Sequence, residues 1–206
     1  MSPPRNRESA VASRGPNRKG GATSKGQVRI IGGERRGHRL QFVDQGGDLR
    51  PSSDRMRETL FNWLAPRIEG ARCVDLFAGT GALGLEALSR GCASCLFVEE
   101  DKRAVDAIRA NVAALGAGTR ATVQQASALR LGPAKVPHDL VMLDPPYGTG
   151  AGAVALERLV RLGWIGPATW ISLEVAAKET PELRGMRVDA ERKVGKAKLL
   201  LLQLDS

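Results

Sequence analysis

A chain of 206 residues, 42% of them hydrophobic, suits one catalytic domain with a sizeable core and a small appendage. Lys and Arg number 31 against 22 Asp and Glu, a formal charge of +9 that predicts a polyanionic partner, because each neutralised phosphate releases condensed counterions. The sequence shows no apolar run of signal-peptide or transmembrane type, and three cysteines are an odd set too small for a disulfide framework; a cytoplasmic protein with no membrane partner is expected.

The charge is concentrated at one end: residues 1 to 50 carry eleven Lys and Arg against four acids. Residues 1–26, rich in Gly, Pro, Ser, Arg and Lys, lack the apolar side chains that would offset the entropy of folding, and are expected to be a disordered basic tail in the absence of RNA. A merely solubilising tail is the plain alternative. Residues 27–66 read as a small basic module. A strand over Gln27 to Ile31, a turn over Gly32 to Gly37 and a return strand over His38 to Val43 form a hairpin, with Arg29, Arg35, Arg36 and Arg39 as candidate RNA contacts. Ser53 or Asp54 then caps a helix whose apolar positions are Met56, Leu60, Trp63 and Leu64, ending at Pro66.

Residues 67–206 alternate apolar strands with helices. Strands are predicted at Cys73 to Phe77, Cys95 to Glu99, Ala121 to Gln125, Leu140 to Leu143 and Trp170 to Val175. Helices are predicted at Ala82 to Ser89, Lys102 to Leu115 and Ala151 to Leu162. Such repetition predicts an α/β fold with a mostly parallel sheet covered on both faces; the run Leu199 to Leu202 after a turn at Gly195 predicts a terminal antiparallel hairpin. Cys73, Cys92 and Cys95 read as structural, since Cys92-Ala-Ser-Cys95 has no second ligand pair and His38 and His138 are isolated; no metal is expected.

The segment from Val74 to Gly84 leads from a strand into a helix, with Gly79, Gly81 and Gly84 where the backbone must turn and approach a ligand. These glycines fit NAD and S-adenosylmethionine equally, and an acid at the end of the next strand (Glu99, with Glu100 and Asp101 as competitors) suits the ribose of either. Asp75 favours S-adenosylmethionine, because a carboxylate there attracts an ammonium group and repels a pyrophosphate; its alternative role is to tie the loop through backbone amides.

Asp144-Pro145-Pro146-Tyr147 follows the buried strand ending at Leu143, in the crevice where open α/β sheets bind ligands. Prolines carry no N–H, so the loop offers acceptors: the Asp144 carboxylate and the Pro145 carbonyl. Two acceptors match an exocyclic NH2, whose lone pair they would turn toward an electrophilic methyl. Tyr147 supplies a ring for the flipped base, with the ring expected to matter more than its hydroxyl.

The tetrapeptide together with Asp75-x-Phe77-x-Gly79-x-Gly81 resembles the amino-methyltransferases of DNA, RNA and protein glutamine. The stretches Arg29 to Gly33, Leu49 to Leu64 and Gly81 to Arg90 resemble, more closely, the bacterial family that methylates N2 of a guanine in 16S ribosomal RNA. That resemblance spans about residues 27 to 204 and implies a Rossmann-like class I methyltransferase sheet of seven strands. It also implies S-adenosylmethionine as cofactor and 16S ribosomal RNA in the small ribosomal subunit as partner of a monomeric enzyme. Carried over, Asp75, Phe77, Gly79, Gly81, Glu99 and Glu100 would hold the cofactor, with Arg50, Pro51 and Ser52 near its methionine end. Asp144, Pro145, Pro146 and Tyr147 would hold the base. The family often places Asp or Asn after the third strand; Gln125-Ala126-Ser127 stands here, leaving Ser127 or backbone for the adenine. A DNA adenine or cytosine amino-methyltransferase would share these residues but needs a target-recognition insertion for which there is no room. A non-catalytic RNA-binding assembly factor is the rival from another class.

Overall fold

The computed structural model describes residues 28–41 and 54–205. It begins with an antiparallel hairpin, β1 (Val28–Arg29) and β2 (Arg39–Leu40), and helix α1 (Asp54–Leu64). The alternating region follows as β3 (Arg72–Leu76), α2 (Ala82–Ser89), β4 (Ser94–Glu99), α3 (Lys102–Ala114), β5 (Ala121–Gln125), β6 (Leu140–Leu143), α4 (Ala151–Arg161), β7 (Trp170–Ala176), β8 (Met186–Val194) and β9 (Ala197–Leu204). The seven-stranded sheet has the order β5-β4-β3-β6-β7-β9-β8. Its first five strands are parallel, and β9 runs antiparallel between β7 and β8. This is the Rossmann-like methyltransferase sheet, with the terminal hairpin folded back so that its second strand is the inner one.

All four residues of β6 are buried, as a central parallel strand covered on both faces requires. On one face Val28, Ile30 and Leu40 of the hairpin and Met56, Leu60 and Phe61 of α1 share an apolar cluster with Leu85, Phe97, Ile108 and Met142. On the other, Val74, Val141, Leu143 and Leu173 pack with Leu156 and Leu159 of α4. The hairpin and α1 therefore fold into the core of the sheet rather than stand apart from it. Among the described residues, no helix is long and apolar enough to cross a membrane.

The structure departs from the sequence reading in two places. The hairpin ladder is only two residues long on each side, because the chain from Ile31 to Arg35 bonds to α2 instead of continuing the ladder. Gln27 and Val43 lie outside the described residues. In α1 the buried set is Met56, Arg57, Leu60, Phe61 and Leu64, with Trp63 only partly covered. Arg57, 1% exposed, occupies a core position that an apolar pattern cannot reveal.

Arg57 is tolerated there because its guanidinium is shared. It donates to the Arg29 carbonyl (2.9 Å) and to Asp54 (2.6 Å), and lies 3.6 Å from the buried Glu86 carboxylate. Glu86 in turn accepts from the amides of Ile31 and Gly32, both at 2.8 Å, and from Arg90 Nε at 2.7 Å. Gly33 then crosses the end of α2 so closely that a Cβ would stand 1.9 Å from the Ser89 carbonyl oxygen, and its φ of +77° suits glycine alone.

Glu86→Ala should cost about 3 kcal/mol or more in urea unfolding, because it removes at once the acceptor of two amides and the carboxylate that Arg57 and Arg90 share. A loss below about 1 kcal/mol would show that the hairpin is held by its apolar contacts alone.

Candidate active site

The carboxyl ends of β3, β4, β6 and β7 bring the candidate residues to one end of the sheet. Leaving β3, the chain takes positive φ at Phe77 (59°), Gly79 (52°) and Gly81 (74°) before α2 starts at Ala82. Phe77 is the only described non-glycine residue in that region, so the turn is imposed by its surroundings rather than by local preference. Gly84 is needed for packing: a Cβ would lie 2.3 Å from the Phe97 ring. Beside Gly79, in contrast, a Cβ would meet nothing nearer than the Phe77 carbonyl at 3.8 Å, so the outer side of the loop is open.

Asp75 is 1% exposed and accepts from the Gly84 amide at 2.9 Å. This is the loop-tying bond, and it comes from beneath the glycine turn. Burial pushes the carboxyl up from its ordinary 3.8 to about 8, the Gly84 hydrogen bond opposing and the nearby Glu99 charge adding to the rise.

Of the three neighbouring acids, Glu99 faces the glycine loop. Its carboxylate accepts from Gly79 N at 2.7 Å and from Asp101 N at 2.9 Å. Asp101 is the helix cap, accepting from Arg103 N (2.8 Å) and Ala104 N (3.0 Å), and Glu100 is exposed. Past β5, the Ala126 amide bonds to the Glu99 carbonyl, and half-buried Ser127 opens a short 3-10 turn without capping it through its side chain.

Asp144 directly follows β6, its amide reaching the Leu76 carbonyl of β3 at 3.4 Å. Pro145 is buried, Pro146 and Tyr147 are exposed, and the Pro146 carbonyl is taken by Thr149 Oγ1 at 2.8 Å. Among the described residues no donor reaches the Pro145 carbonyl. The Tyr147 hydroxyl donates to Glu174, a residue of β7 only 6% exposed. The sequence reading missed Glu174. An acid in the middle of an apolar strand, Trp170–Ala176, was the available signal. Because Leu143 pairs with Leu173, Asp144 and Glu174 are consecutive positions at neighbouring strand ends. A cleft of about 340 Å³ opens here, lined in part by Pro145, Tyr147, Gly152, Glu174 and Glu179.

The remaining candidates are dispersed or lie elsewhere. Arg50, Pro51 and Ser52 fall outside the described residues, as do residues 1–26. Arg29 and Arg39 are register partners, and Arg29 reaches Asp54 at the start of α1 (3.5 Å). Arg35 and Arg36 occupy the turn against the C-terminal end of α2, where Glu34 pairs with Arg120 (2.7 Å) just before β5. That turn is at the amino-terminal edge of the sheet, away from Asp144. Cys73, Cys92 and Cys95 are buried free thiols, and Cys73 and Cys95 face each other across β3 and β4.

Asp75 sets a test in pH. With its folded value raised to about 8, the native state holds an extra proton between about pH 4 and 8, so the stability it contributes is full below pH 4 and is lost as pH rises to 8. The stability of the wild type relative to Asp75→Asn should fall across that window and stay flat above it. Parallel curves from urea titrations would mean that Asp75 is ionised in the fold.

The family model described as conserved hypothetical protein 95 matches residues 28–203. Ribosomal RNA small subunit methyltransferase D of Escherichia coli K12 is 44% identical over 149 residues, covering 72% of this chain and 75% of that protein. Its namesake from Haemophilus influenzae is 40% identical over 166 residues, covering 77% and 86%. The solved structure of yhhF from Escherichia coli superposes with a TM-score of 0.78 at 37% identity, covering 88% of this chain and 99% of that one. Matched over most of its length by these sequences and by this fold, the chain belongs to the ribosomal RNA small subunit methyltransferase D family.

Proposed function

We propose that the chain transfers a methyl group from S-adenosylmethionine to the exocyclic N2 amine of a guanine in 16S ribosomal RNA, within the small ribosomal subunit. The observation that carries this reading is the acceptor-only loop of Asp144 and Pro145 at the carboxyl end of β6, on the same edge of the sheet as the open glycine turn and Glu99. The names of the relatives support the ribosomal target.

The residues fit the cofactor. Open space beside Gly79 admits a ligand against the backbone, with Phe77 and Gly81 shaping the turn. The Glu99 carboxylate has about four acceptor positions, and the two amides it holds leave capacity for ribose hydroxyls. Glu100 and Ser127 would serve the adenine end, and the family resemblance assigns Arg50, Pro51 and Ser52, which lie outside the described residues, to the methionine end. Asp75 anchors the loop from below, and an ammonium above the turn would draw its carboxyl back toward the ionised form. S-adenosylmethionine supplies, when bound, a methyl group activated on a sulfonium.

The protein's own part is orientation. The lone pair of guanine N2 is delocalised into the ring, so the amine is a poor nucleophile until its two N–H groups are fixed by hydrogen bonds. Asp144 takes one proton donor and the Pro145 carbonyl the other, aiming the lone pair out of the ring plane. Tyr147 gives the flipped base an aromatic face, and its bond to Glu174 fixes the angle of the ring. Arg29, Arg35, Arg36 and Arg39 serve the RNA backbone.

Asp144→Ala should lower kcat by about 10²- to 10⁴-fold while S-adenosylmethionine and RNA still bind, and Asp144→Asn should retain part of the activity through its amide oxygen. Nucleoside mass spectrometry of the product should show N2-methylguanine; ring-nitrogen or ribose methylation, or unchanged turnover in Asp144→Ala, would sink the reading. Tyr147→Phe, which removes the hydroxyl that donates to the buried Glu174 carboxylate but keeps the ring, should cost more than a purely stacking role allows, about 10-fold in kcat.

A further inference from the structure

Two of the hairpin arginines, Arg35 and Arg36, sit at the edge of the sheet opposite its reacting end. A different basic element does reach the reacting end. β9 pairs with β7 so that Ala197 faces Ala176, and the Ala177 amide donates to the Lys196 carbonyl at 2.8 Å. The turn Gly195-Lys196 between β8 and β9 therefore stands just past the carboxyl end of β7, the strand whose Glu174 holds Tyr147. Gly195, with φ of +60°, makes the turn tight.

Residues 192 to 198 carry four cations, Arg192, Lys193, Lys196 and Lys198, and no acid. Lys178, exposed in the turn after β7, is beside them. Arg192, Lys193 and Lys196 are exposed, and among the described residues none has an acidic partner. Cations further from the tip are paired: Arg184 with Glu182 at 2.8 Å and Arg187 with Asp189 at 3.2 Å. Glu179, the acid nearest the turn after β7, is engaged with the amides of Gly148 and Ala176. Moreover, Lys193 and Lys198 are direct register partners, and like charges placed opposite each other weaken a ladder. A folded hairpin that concentrates unneutralised charge at its tip, at a cost to its own pairing, matches a polyanion that supplies the missing counter-charge.

We infer that the tip of the β8–β9 hairpin is a second docking rim for RNA, where Arg192, Lys193 and Lys196 hold backbone phosphates flanking the target base. This rests on the RNA reading above. The rim positions the strand and leaves base choice to the loop at Asp144.

The test uses the full chain and its Arg192→Ala/Lys193→Ala/Lys196→Ala variant, with unmethylated 16S ribosomal RNA as probe and salt concentration varied. Loss of three phosphate contacts should reduce the slope of log K against log salt by about 2 to 3, and weaken binding about 10-fold or more near physiological salt. KM for RNA should rise while kcat and S-adenosylmethionine affinity stay at wild-type values. Lys193→Arg/Lys196→Arg should bind normally, and Arg184→Ala, which removes a paired cation, should leave the slope unchanged. A triple variant with the wild-type slope overturns the inference. Salt-dependent binding by a wild type that methylates no base would instead overturn the functional reading and leave the rim standing.

Discussion

The Glu86 carboxylate is the constraint on which the N-terminal half depends. It lies on α2, entirely buried, and no apolar residue could replace it, because the chain at Ile31 and Gly32 presents two amides to the same spot with no strand partner. Its charge is balanced by Arg90 on its own helix and Arg57 on α1, so three segments distant in sequence converge on one carboxylate. A buried ion pair of this kind earns little net stability against a well-packed apolar equivalent, but removal of one member is costly, which makes it a device for fixing geometry. The geometry matters because α2 begins where the glycine turn ends. The basic hairpin, α1 and the glycine turn are thereby held against a single short helix.

Charge is sorted along the sheet in a way that follows from this frame. Acids gather at strand ends: Asp75 near the end of β3, Glu99 at the end of β4, Asp144 after β6 and Glu174 near the end of β7. Three of them have a defined task, Asp75 and Glu99 in shaping the glycine turn, Glu174 in holding Tyr147. Acceptors clustered there suit ligands rich in N–H and O–H donors, and they repel phosphate. On the proposed reading, affinity for a polyanion would then come from elsewhere, and the β8–β9 hairpin offers exposed cations in Arg192, Lys193 and Lys196.

Much of this was legible in the sequence because two periodicities and two short motifs carry it. The helix Ala82–Ser89 and the strands Ala121–Gln125 and Leu140–Leu143 fall where apolar pattern and Gly punctuation place them. The glycine turn and Asp144 to Tyr147 were visible since their chemistry needs fixed residue types at fixed spacing. What escaped was tertiary in origin. Arg57 is polar in pattern and buried in fact, because its partners come from Arg29, Asp54 and Glu86. Glu174 became meaningful only once β6 and β7 were neighbours. The position of β9 inside β8 could not be read from an antiparallel signature alone, since either strand could be the inner one. That Arg35 and Arg36, candidate RNA contacts, lie in a turn against the far end of α2 could not be read from the sequence either.

On the proposed reading, the separation of acceptors from cations also bears on why this crevice would select an amine. A site that gripped phosphate next to Asp144 would hold the backbone tightly whichever base was presented, and would add equal binding to reactive and unreactive complexes. With phosphate contacts displaced to the hairpins, as proposed, the acceptors of the crevice would favour groups that donate hydrogen bonds. Guanine N2 brings two such donors on one atom, and the adjoining N1–H brings a third, so its amino edge would satisfy an acceptor-lined pocket. A ring nitrogen with an outward lone pair would face lone pairs in return and leave them unpaired, a discrimination that buried polar groups enforce more strongly than shape does. The exposed ring of Tyr147, tethered from below by a buried carboxylate, would then limit the angle at which a base could enter, so that orientation would be set before the amine met Asp144.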